Sequence, residues 1–436
     1  MKQHSAPNSV LVDPIDLPLK ISFSKRLYSR YTTYIVFLKF LKSFLKLDSL
    51  FSLHLRFNYT SYDYPVVKMA FLTTSLICLG MDRIERLNDS FRNEIGLAKF
   101  IGLKRLPFST TLQRYLHRHS GFNINQLLQV NYSLIKNNIS SWYNPHKTLF
   151  VDIDMNVKPV EGKHHEKANY GYNPNNMGRH SLKMSLVYVC GLCLYLDLHK
   201  GSQSEVKLLK EQVDKTKSIL KKKIFDSNFK FKNLVFRVDG GYVTYENINY
   251  LVANNYKFLT RLKINSKPLK QHIKNIKIED SKNPESKKWK VFNNSNYQKY
   301  KDLGEIEFKI IDKENNEEYL LDTKLRVVIV RLKRITTNKK ITKYIYYPIA
   351  TNLLEFKPLS IIKAYRKRQH IENSFRELNQ AFNANKLPST KYNSNKAYLV
   401  YTIIAYNSFF FFQKHPTNKS QKIPKIHTSK NSKNFF

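Results

Sequence analysis

Acid is scarce in this chain of 436 residues: 33 Asp and Glu stand against 74 Lys and Arg, a formal net charge of +41. A compact protein with that excess repels itself and attracts polyanions, so DNA or RNA is the default partner. Abundant Lys, Asn, Ile, Phe and Tyr match the bias of an AT-rich genome, but such a bias raises acids too and does not explain the surplus. Cysteine is rarer still. Cys78, Cys190 and Cys193 are the only three, which excludes a disulfide framework and fits a reducing compartment. Cys190-x-x-Cys193 resembles half a zinc site, but no second pair exists and it lies in the apolar run VYVCGLCLYLDL; buried strand cysteines are expected. Long apolar runs are missing as well. Val66 to Gly80 and Tyr398 to Phe412 fall short of the ~20 residues that span a bilayer and carry Lys68 and Asn407, so both are expected to be core helices. Ile35 to Leu47, with Lys39, Lys42 and Lys46 on one face, reads as an ordinary amphipathic helix. No signal peptide is expected, because Asp13, Asp16 and three prolines interrupt the N-terminal apolar stretch. Internal repeats are absent.

What is present can build a core. Hydrophobic residues make up 42% and aromatics 13%, which excludes disorder across the whole chain, and the length suits roughly two to four domains. Residues 1–145 read as a helical N-terminal, DNA-binding region. Within it, LPFSTTLQRYLHRHSG predicts a helix N-capped by Ser109 or Thr110, with Leu112 and Leu116 one turn apart. Arg114, His117, Arg118 and His119 stud that helix, as phosphate contacts or as a solvated basic face.

At Thr148 the period changes. LFVDIDMNV alternates, which puts Asp152 and Asp154 on one face of a strand. After the loop GYNPNNMGRHS, the runs MSLVYVC and CLYLDLH around Gly191 predict a β-hairpin. A helix from about Glu205 to Leu220, the strand LVFRVD ending at Asp239-Gly240-Gly241, a helix at 245–255 and the strand KFLTRLKI complete a first catalytic part, 146–264. Residues 265–345 read as an inserted, mainly β subdomain. Residues 346–412 hold one strong helix, IIKAYRKRQHIENSFRELNQAF, and an apolar one, AYLVYTIIAYNSFFFF. Residues 413–436, with six lysines and no acid, read as a disordered basic tail.

Strand, hairpin, helix, strand, with an acid closing each of two strands, is the order of an RNase H-like fold. In it the first and fourth strands of a mixed sheet lie side by side, so Asp154 and Asp239 meet at one edge. Two carboxylates held together repel, and a divalent cation with oxygen ligands is the remedy. The two glycines after Asp239 would let a phosphate backbone approach. On the later helix Tyr365, Arg368, Glu372 and Asn379 fall within roughly 60° of arc. That face lets a carboxylate hold a metal while an arginine grips phosphate. Singly, such acids are usually ordinary strand-end or surface residues; their joint occurrence with the Tyr-Arg spacing and the net charge reverses that reading. His164-His165-Glu166 sits in a polar loop without partner ligands and is not expected to bind metal.

From about Leu97 to Phe412 the sequence resembles the DDE transposases of cut-and-paste bacterial insertion sequences, in the subgroup with a β-strand insertion before the final glutamate. Tyr365-x-x-Arg368-x-x-x-Glu372 matches that family's Tyr-Arg-Glu-Lys signature through the glutamate. LFVDIDMNV and FRVDGGY resemble its two aspartate strands, and LPFSTTLQRYL, GYNPNNMGRHS, YYPIATNL and AYNSF its accompanying segments. The resemblance implies an α/β fold: an RNase H-like mixed sheet flanked by helices, interrupted by the β insertion and preceded by the helical domain. It implies Asp154, Asp239 and Glu372 as the catalytic, metal-binding triad, and Tyr365, Arg368, Arg179 and Arg114 as DNA contacts. The cofactor implied is Mg²⁺, two ions, with Mn²⁺ as a substitute. The partners implied are double-stranded DNA, as element ends and as target, and a second copy of the chain in a homodimer; no membrane is involved, and the location is the cytoplasm, at the nucleoid. Nicking, a terminal hairpin and strand transfer would follow from one site by a change of nucleophile, and the insertion is associated with the hairpin step.

Two positions depart from the family pattern. Met155-Asn156 follows the first aspartate where a Ser-Thr-like pair is usual, and Asn379 stands where the signature lysine is expected. Asp152 is a competing first ligand, and motif alignment favours Asp154. Two other readings stay open: a different RNase H-like nuclease, and a decayed or domesticated copy that only binds DNA.

Overall fold

The computed structural model describes residues 32–415 apart from 59–61, 140–146, 163, 174–177, 226–233, 264–266, 284–285, 287, 293–294, 308, 312–317, 321–323 and 336–341, together with 10–12 and 19–21. Two short strands, β1 (Val10–Val12) and β2 (Leu19–Ile21), pair with each other. Six helices follow: α1 (Thr32–Lys39), α2 (Leu47–His54), α3 (Val66–Cys78), α4 (Ile95–Ile101), α5 (Ser109–His117) and α6 (Gly121–Ile139). The cap of α5 differs from expectation. Phe108 occupies the N-cap, and Ser109 is the first helical residue, buried and bonded through its amide and hydroxyl to Asn88. Leu112 and Leu116 do point into the core.

The central sheet begins with β3 (Leu149–Pro159), β4 (Ser181–Val189) and β5 (Leu192–Lys200), an antiparallel meander. Cys190 and Gly191 form the two-residue turn of the β4–β5 hairpin, both at positive φ (54° and 93°), as a turn matched to strand twist requires. A side chain at Gly191 would also strike the Phe410 ring, 2.5 Å from the Cβ position. Cys193 is fully buried in β5, as expected, whereas Cys190 is half-buried and lies in the turn rather than in a strand. After α7 (Leu209–Ile219), strand β6 (Leu234–Val238) lies parallel to β3, and after α8 (Tyr245–Ala253) strand β7 (Lys257–Arg261) lies parallel to β6. All five residues of β6 are buried, as befits a parallel strand covered on both faces. The resulting order β5-β4-β3-β6-β7 is that of an RNase H-like mixed sheet.

Most strands described in residues 265–345 join the central sheet. The segment opens with a helix, α9 (Lys267–Lys282), which the lysine-rich composition did not suggest. Strands β8 (Lys290–Phe292), β9 (Ser295–Ile306), β12 (Leu325–Ile335) and β13 (Thr342–Thr351) then extend the same sheet, β13 pairing antiparallel with β7, to nine strands in the order β5-β4-β3-β6-β7-β13-β12-β9-β8. Strands β10 (Lys309–Ile311) and β11 (Glu318–Leu320) pair apart from it. Asp280 anchors α9 to the sheet: it accepts from Trp289 Nε1 (2.8 Å) and Tyr346 Oη (2.6 Å) and pairs with buried Arg331 (2.7 Å).

The strong helix expected after Pro358 is broken in two, α10 (Pro358–Arg366) and α11 (Gln369–Gln380). At Lys367 and Arg368 the hydrogen bonds tighten to i→i+3, with Arg368 N on Tyr365 O and Ile371 N on Arg368 O. Helix α12 (Tyr392–Lys414) is apolar all round and is correspondingly buried, packed on α3, α5, α6 and β5. No described helix is long and apolar enough to cross a membrane. Asn407 of α12 and Asn131 of α6 bond to each other (2.8 Å) and to the backbone of Cys193, which ties the N-terminal helices and α12 to the β5 edge. The N-terminal helices therefore share one core with the sheet. Of the tail, residues 416–436 lie outside the described residues.

Candidate active site

Register brings the two aspartates together. The last parallel pair of β3 and β6 is Ile153 with Val238, so Asp154 and Asp239 follow on adjacent strands where those strands part. Asp154 stays paired to Leu186 on β4 and accepts from Met155 N (2.9 Å), whereas Asp239 caps the turn after β6 by accepting from Gly240 N (2.7 Å). Burial pushes the Asp154 carboxyl up to about 6 against the pull of Arg368. Gly240 serves the fold: a Cβ there would meet Arg261 O at 2.9 Å. Close approach of a phosphate is not needed to explain it.

The tightened turn between α10 and α11 delivers Arg368 inward and leaves Glu372 at the rim. Arg368 bridges Asp154 Oδ2 and Glu372 Oε1, each at 2.9 Å. Its side chain is 8% exposed and that of Glu372 is 53% exposed. Burial works against the Arg368 charge, but Asp154 and Asp239 outweigh it and hold the guanidinium firmly protonated. Glu372 lies in the first turn of α11, where a carboxylate is favoured by the helix dipole. Tyr365 is half-buried, its hydroxyl pushed up to about 12 by burial.

Tyr365, Arg368, Glu372 and Asp239 line one open cleft of about 370 Å³, together with Arg261 and Arg366. Sequence reading missed these last two. Arg261 stacks over Tyr347 at 4.4 Å, and Arg366 stacks over Phe292 at 4.0 Å while bonding Gln298. Only the position of Arg366 beside Tyr365 in the motif offered a signal. Arg261 faces the cleft because β13, far away in sequence, pairs with its strand.

Asp152 is engaged elsewhere. It is 1% exposed and held bidentate by Arg237 (2.7 and 2.6 Å), whose remaining nitrogen donates to Ala364 O. Asn379 accepts a hydrogen bond from Lys158 of β3, which is buried and whose amine burial lowers to about 7. Arg114 on α5 and Arg179 before β4 are both exposed, and neither lines the cleft. His119 is a core residue, 2% exposed and within 3.2 Å of the Tyr401 hydroxyl. Glu166 anchors the start of α12 by accepting from Tyr392 N and pairing with Lys391.

As they stand, no three His, Cys, Asp or Glu side chains among the described residues converge to hold a metal. Arg368 lies between Asp154 and Glu372 as their counter-ion. The donor set is nonetheless all carboxylate, which suits a hard, oxygen-seeking divalent cation. Carboxylates beside a floor of arginines can hold such an ion and a phosphodiester at once.

The family described as "Transposase DDE domain group 1" matches residues 35–428. No curated protein matches the sequence. Among solved structures, a piggyBac transposase synaptic complex with hairpin DNA is similar, with TM-score 0.44, 11% identity, and 92% of this chain and 78% of that one covered. A Mos1 transposase paired-end complex with the left transposon end gives TM-score 0.19 at 10% identity, over 47% of this chain and 60% of that one. A Mos1 mariner paired-end complex with Mn gives TM-score 0.20 at 12% identity, over 58% and 75%.

Proposed function

This chain belongs to the DDE transposases of domain group 1, and from that membership we propose that it is the transposase of a bacterial cut-and-paste insertion sequence. It binds the terminal inverted repeats of its element, cleaves there, and joins the freed 3′ ends to target DNA by way of a terminal hairpin. Asp154, Asp239 and Glu372 are the metal-holding triad in this reading. The observation that supports it most is the Arg368 bridge from Asp154 to Glu372 at a cleft that also contains Asp239. Residues from three separate elements meet there.

Bound Mg²⁺ or Mn²⁺, as two ions, supplies activation of water or a DNA 3′-hydroxyl and stabilisation of the departing 3′ oxygen. The chain's own residues do the rest. Arg261 and Arg366, each held over an aromatic ring, present preset guanidinium groups to a phosphodiester and lose little freedom on binding. Asp154 and Glu372 would hold the cation, and Arg368, which now bonds both carboxylates, would be placed to donate to a phosphate. Tyr365 packs the wall beside the scissile phosphate. Arg114 and Arg179, outside the cleft, contact the backbone of flanking duplex, and the protein acts as a homodimer at the nucleoid because two ends must be paired.

The test is incubation of a DNA fragment carrying the element's end with Mg²⁺ or Mn²⁺ and wild type, Asp239→Asn or Glu372→Gln. Metal-dependent nicking at the element boundary, lost in both variants, is expected. End binding without cleavage by the wild type would instead mark a DNA-binding relic. Cleavage with neither end preference nor joining would mark another RNase H-like nuclease.

A further inference from the structure

Outside the cleft, the loop between β3 and β4 carries two aromatic side chains that the fold holds in solvent. Tyr170 is 60% exposed and Tyr172 is 76% exposed. The backbone beneath them is pinned. Asn169 and Ser181 bond through both amides (3.2 and 3.1 Å), and the Asn169 side chain donates to Ser202 Oγ (2.9 Å) and accepts from Ser202 N (2.8 Å). Gly171 is pressed onto the chain just past β5, where a Cβ would meet Gly201 O at 1.9 Å. With Gly171 turned inward its two neighbours are turned out, and the Tyr170 ring meets His180 edge-on at 4.3 Å. Large aromatic rings exposed on an anchored loop mark an interaction surface.

A groove of about 340 Å³ lies beside that loop. Lys167, Asn169, His199, Lys200, Gln203 and Tyr392 line it, and no acid does. Both lysines are exposed, and neither forms an ion pair within 4 Å among the described residues. Lys167 Nζ sits over the Tyr392 ring at 3.9 Å, and the Tyr392 hydroxyl fixes that ring by donating to Leu198 O. The neighbouring acid, Glu166, is already paired with Lys391 at 3.0 Å. Uncompensated lysines in an acid-free groove suit a phosphodiester backbone. Tyrosine rings beside them suit unpaired bases, because every base has a face on which to stack. The groove also opens close to the cleft. Gln203 lines it, and Glu205 already lies against the turn after Asp239, where a Cβ on Gly241 would meet its carboxylate at 2.7 Å. Only about 7 Å of chain separates those two residues.

We propose that the groove and the two tyrosines form a second DNA site, at the open end of the β4–β5 hairpin, that takes single-stranded DNA. Lys167 and Lys200 hold its phosphates, and Tyr170 and Tyr172 stack on its bases. This rests on the reading of DNA as the substrate, but not on the assignment of the triad. A strand cut loose beside Asp239 has the site within reach.

The test is DNA binding by the full chain without divalent metal, so that no strand is cut. Fluorescence anisotropy follows a thymidine oligonucleotide, a duplex of equal length and the element's end. Wild type is compared with the double variants Tyr170→Ala/Tyr172→Ala and Lys167→Ala/Lys200→Ala and with a control at another exposed tyrosine, Tyr62→Ala. The tyrosine pair should weaken the single strand by about tenfold and leave the duplex unchanged. The lysine pair should lower the salt slope of single-strand binding by about 1 to 2. Ultraviolet cross-linking of a single strand that carries iodouracil should mark Tyr170 or Tyr172 in wild type, and an unchanged circular dichroism melt separates these effects from misfolding. Equal weakening of duplex and single strand by the tyrosine pair, the same loss in Tyr62→Ala, or cross-links only elsewhere would overturn the proposal. If wild type holds the element's end and neither double variant changes single-strand binding, this site alone is refuted. If wild type holds no DNA of any kind, the proposed function falls with it.

Discussion

The carboxylates of two arginine–carboxylate pairs sit two residues apart on β3, and the pairs differ in completeness. Asp152 and Arg237 are both nearly inaccessible, bonded at two points, with Arg237 also on Ala364 O and over the Phe150 ring at 4.7 Å. Asp154 and Arg368 touch at one point, Arg368 Nε is buried without a partner, and its other contact, Glu372, is half in solvent. The first pair is closed, and its work is to fix α10 to the sheet. The second is open, holding a charge that a cation and a phosphate could replace. Identical residue types on one strand thus divide into a closed and an open pair by the number of bonds left unmade.

Substitution of each aspartate should break that comparison most sharply. Asp154→Asn should lower metal-dependent end cleavage by roughly a thousandfold or more while leaving thermal unfolding unchanged or slightly raised. Asp152→Ala should do the reverse in kind, costing about 3–5 kcal/mol in denaturant unfolding because Arg237 is left buried and uncompensated. If Asp152→Ala unfolds like wild type, the division of roles is wrong.

His119 sharpens the comparison with a group that is buried neutral. Burial lowers its imidazole to about 4, below the ordinary value near 6.5 that the unfolded chain regains. Between those two values the unfolded state binds more protons, so stability falls as pH drops from about 6.5 to about 4. In His119→Gln, the loss of unfolding free energy between pH 7 and pH 4.5 should be smaller by about 2–3 kcal/mol. Equal losses in the two proteins would mean that His119 is protonated in the fold.

The smallest effect belongs to an exposed pair. Lys257 and Glu355 meet at 3.0 Å with 37% and 57% of their side chains exposed. Solvent screens such a contact, so Glu355→Ala should shift unfolding by less than about 1 kcal/mol. A larger shift would show that closure of a pair is not what sets its weight.

Much of the fold was legible because it rests on local period. The alternation from Leu149, the hairpin around Gly191, the LVFRV strand and the largely apolar α12 each carry their own signal. The break at Lys367–Arg368 was not legible, since IIKAYRKRQHIENSFRELNQAF holds neither Gly nor Pro and its helix period runs on unbroken. Helix α9 was hidden by lysine and asparagine, and its attachment depends on Asp280 meeting Trp289, Arg331 and Tyr346 from three other places in the chain. The studded helix α5 shows a similar limit. Arg114 and His119 look alike in sequence, yet Arg114 faces solvent and His119 lies in the core beside Tyr401.

By itself, the sequence determined the positive field, the elements with a clear apolar period, and the motif spacing of Asp154, Asp239, Tyr365, Arg368 and Glu372, because charge, period and spacing are properties of neighbours along the chain. The tertiary structure alone decided which aspartate of β3 is closed by Arg237, and that Arg261 and Arg366 face the cleft. Those outcomes depend on strand register and on the path of the loops, which bring together side chains that no local pattern relates.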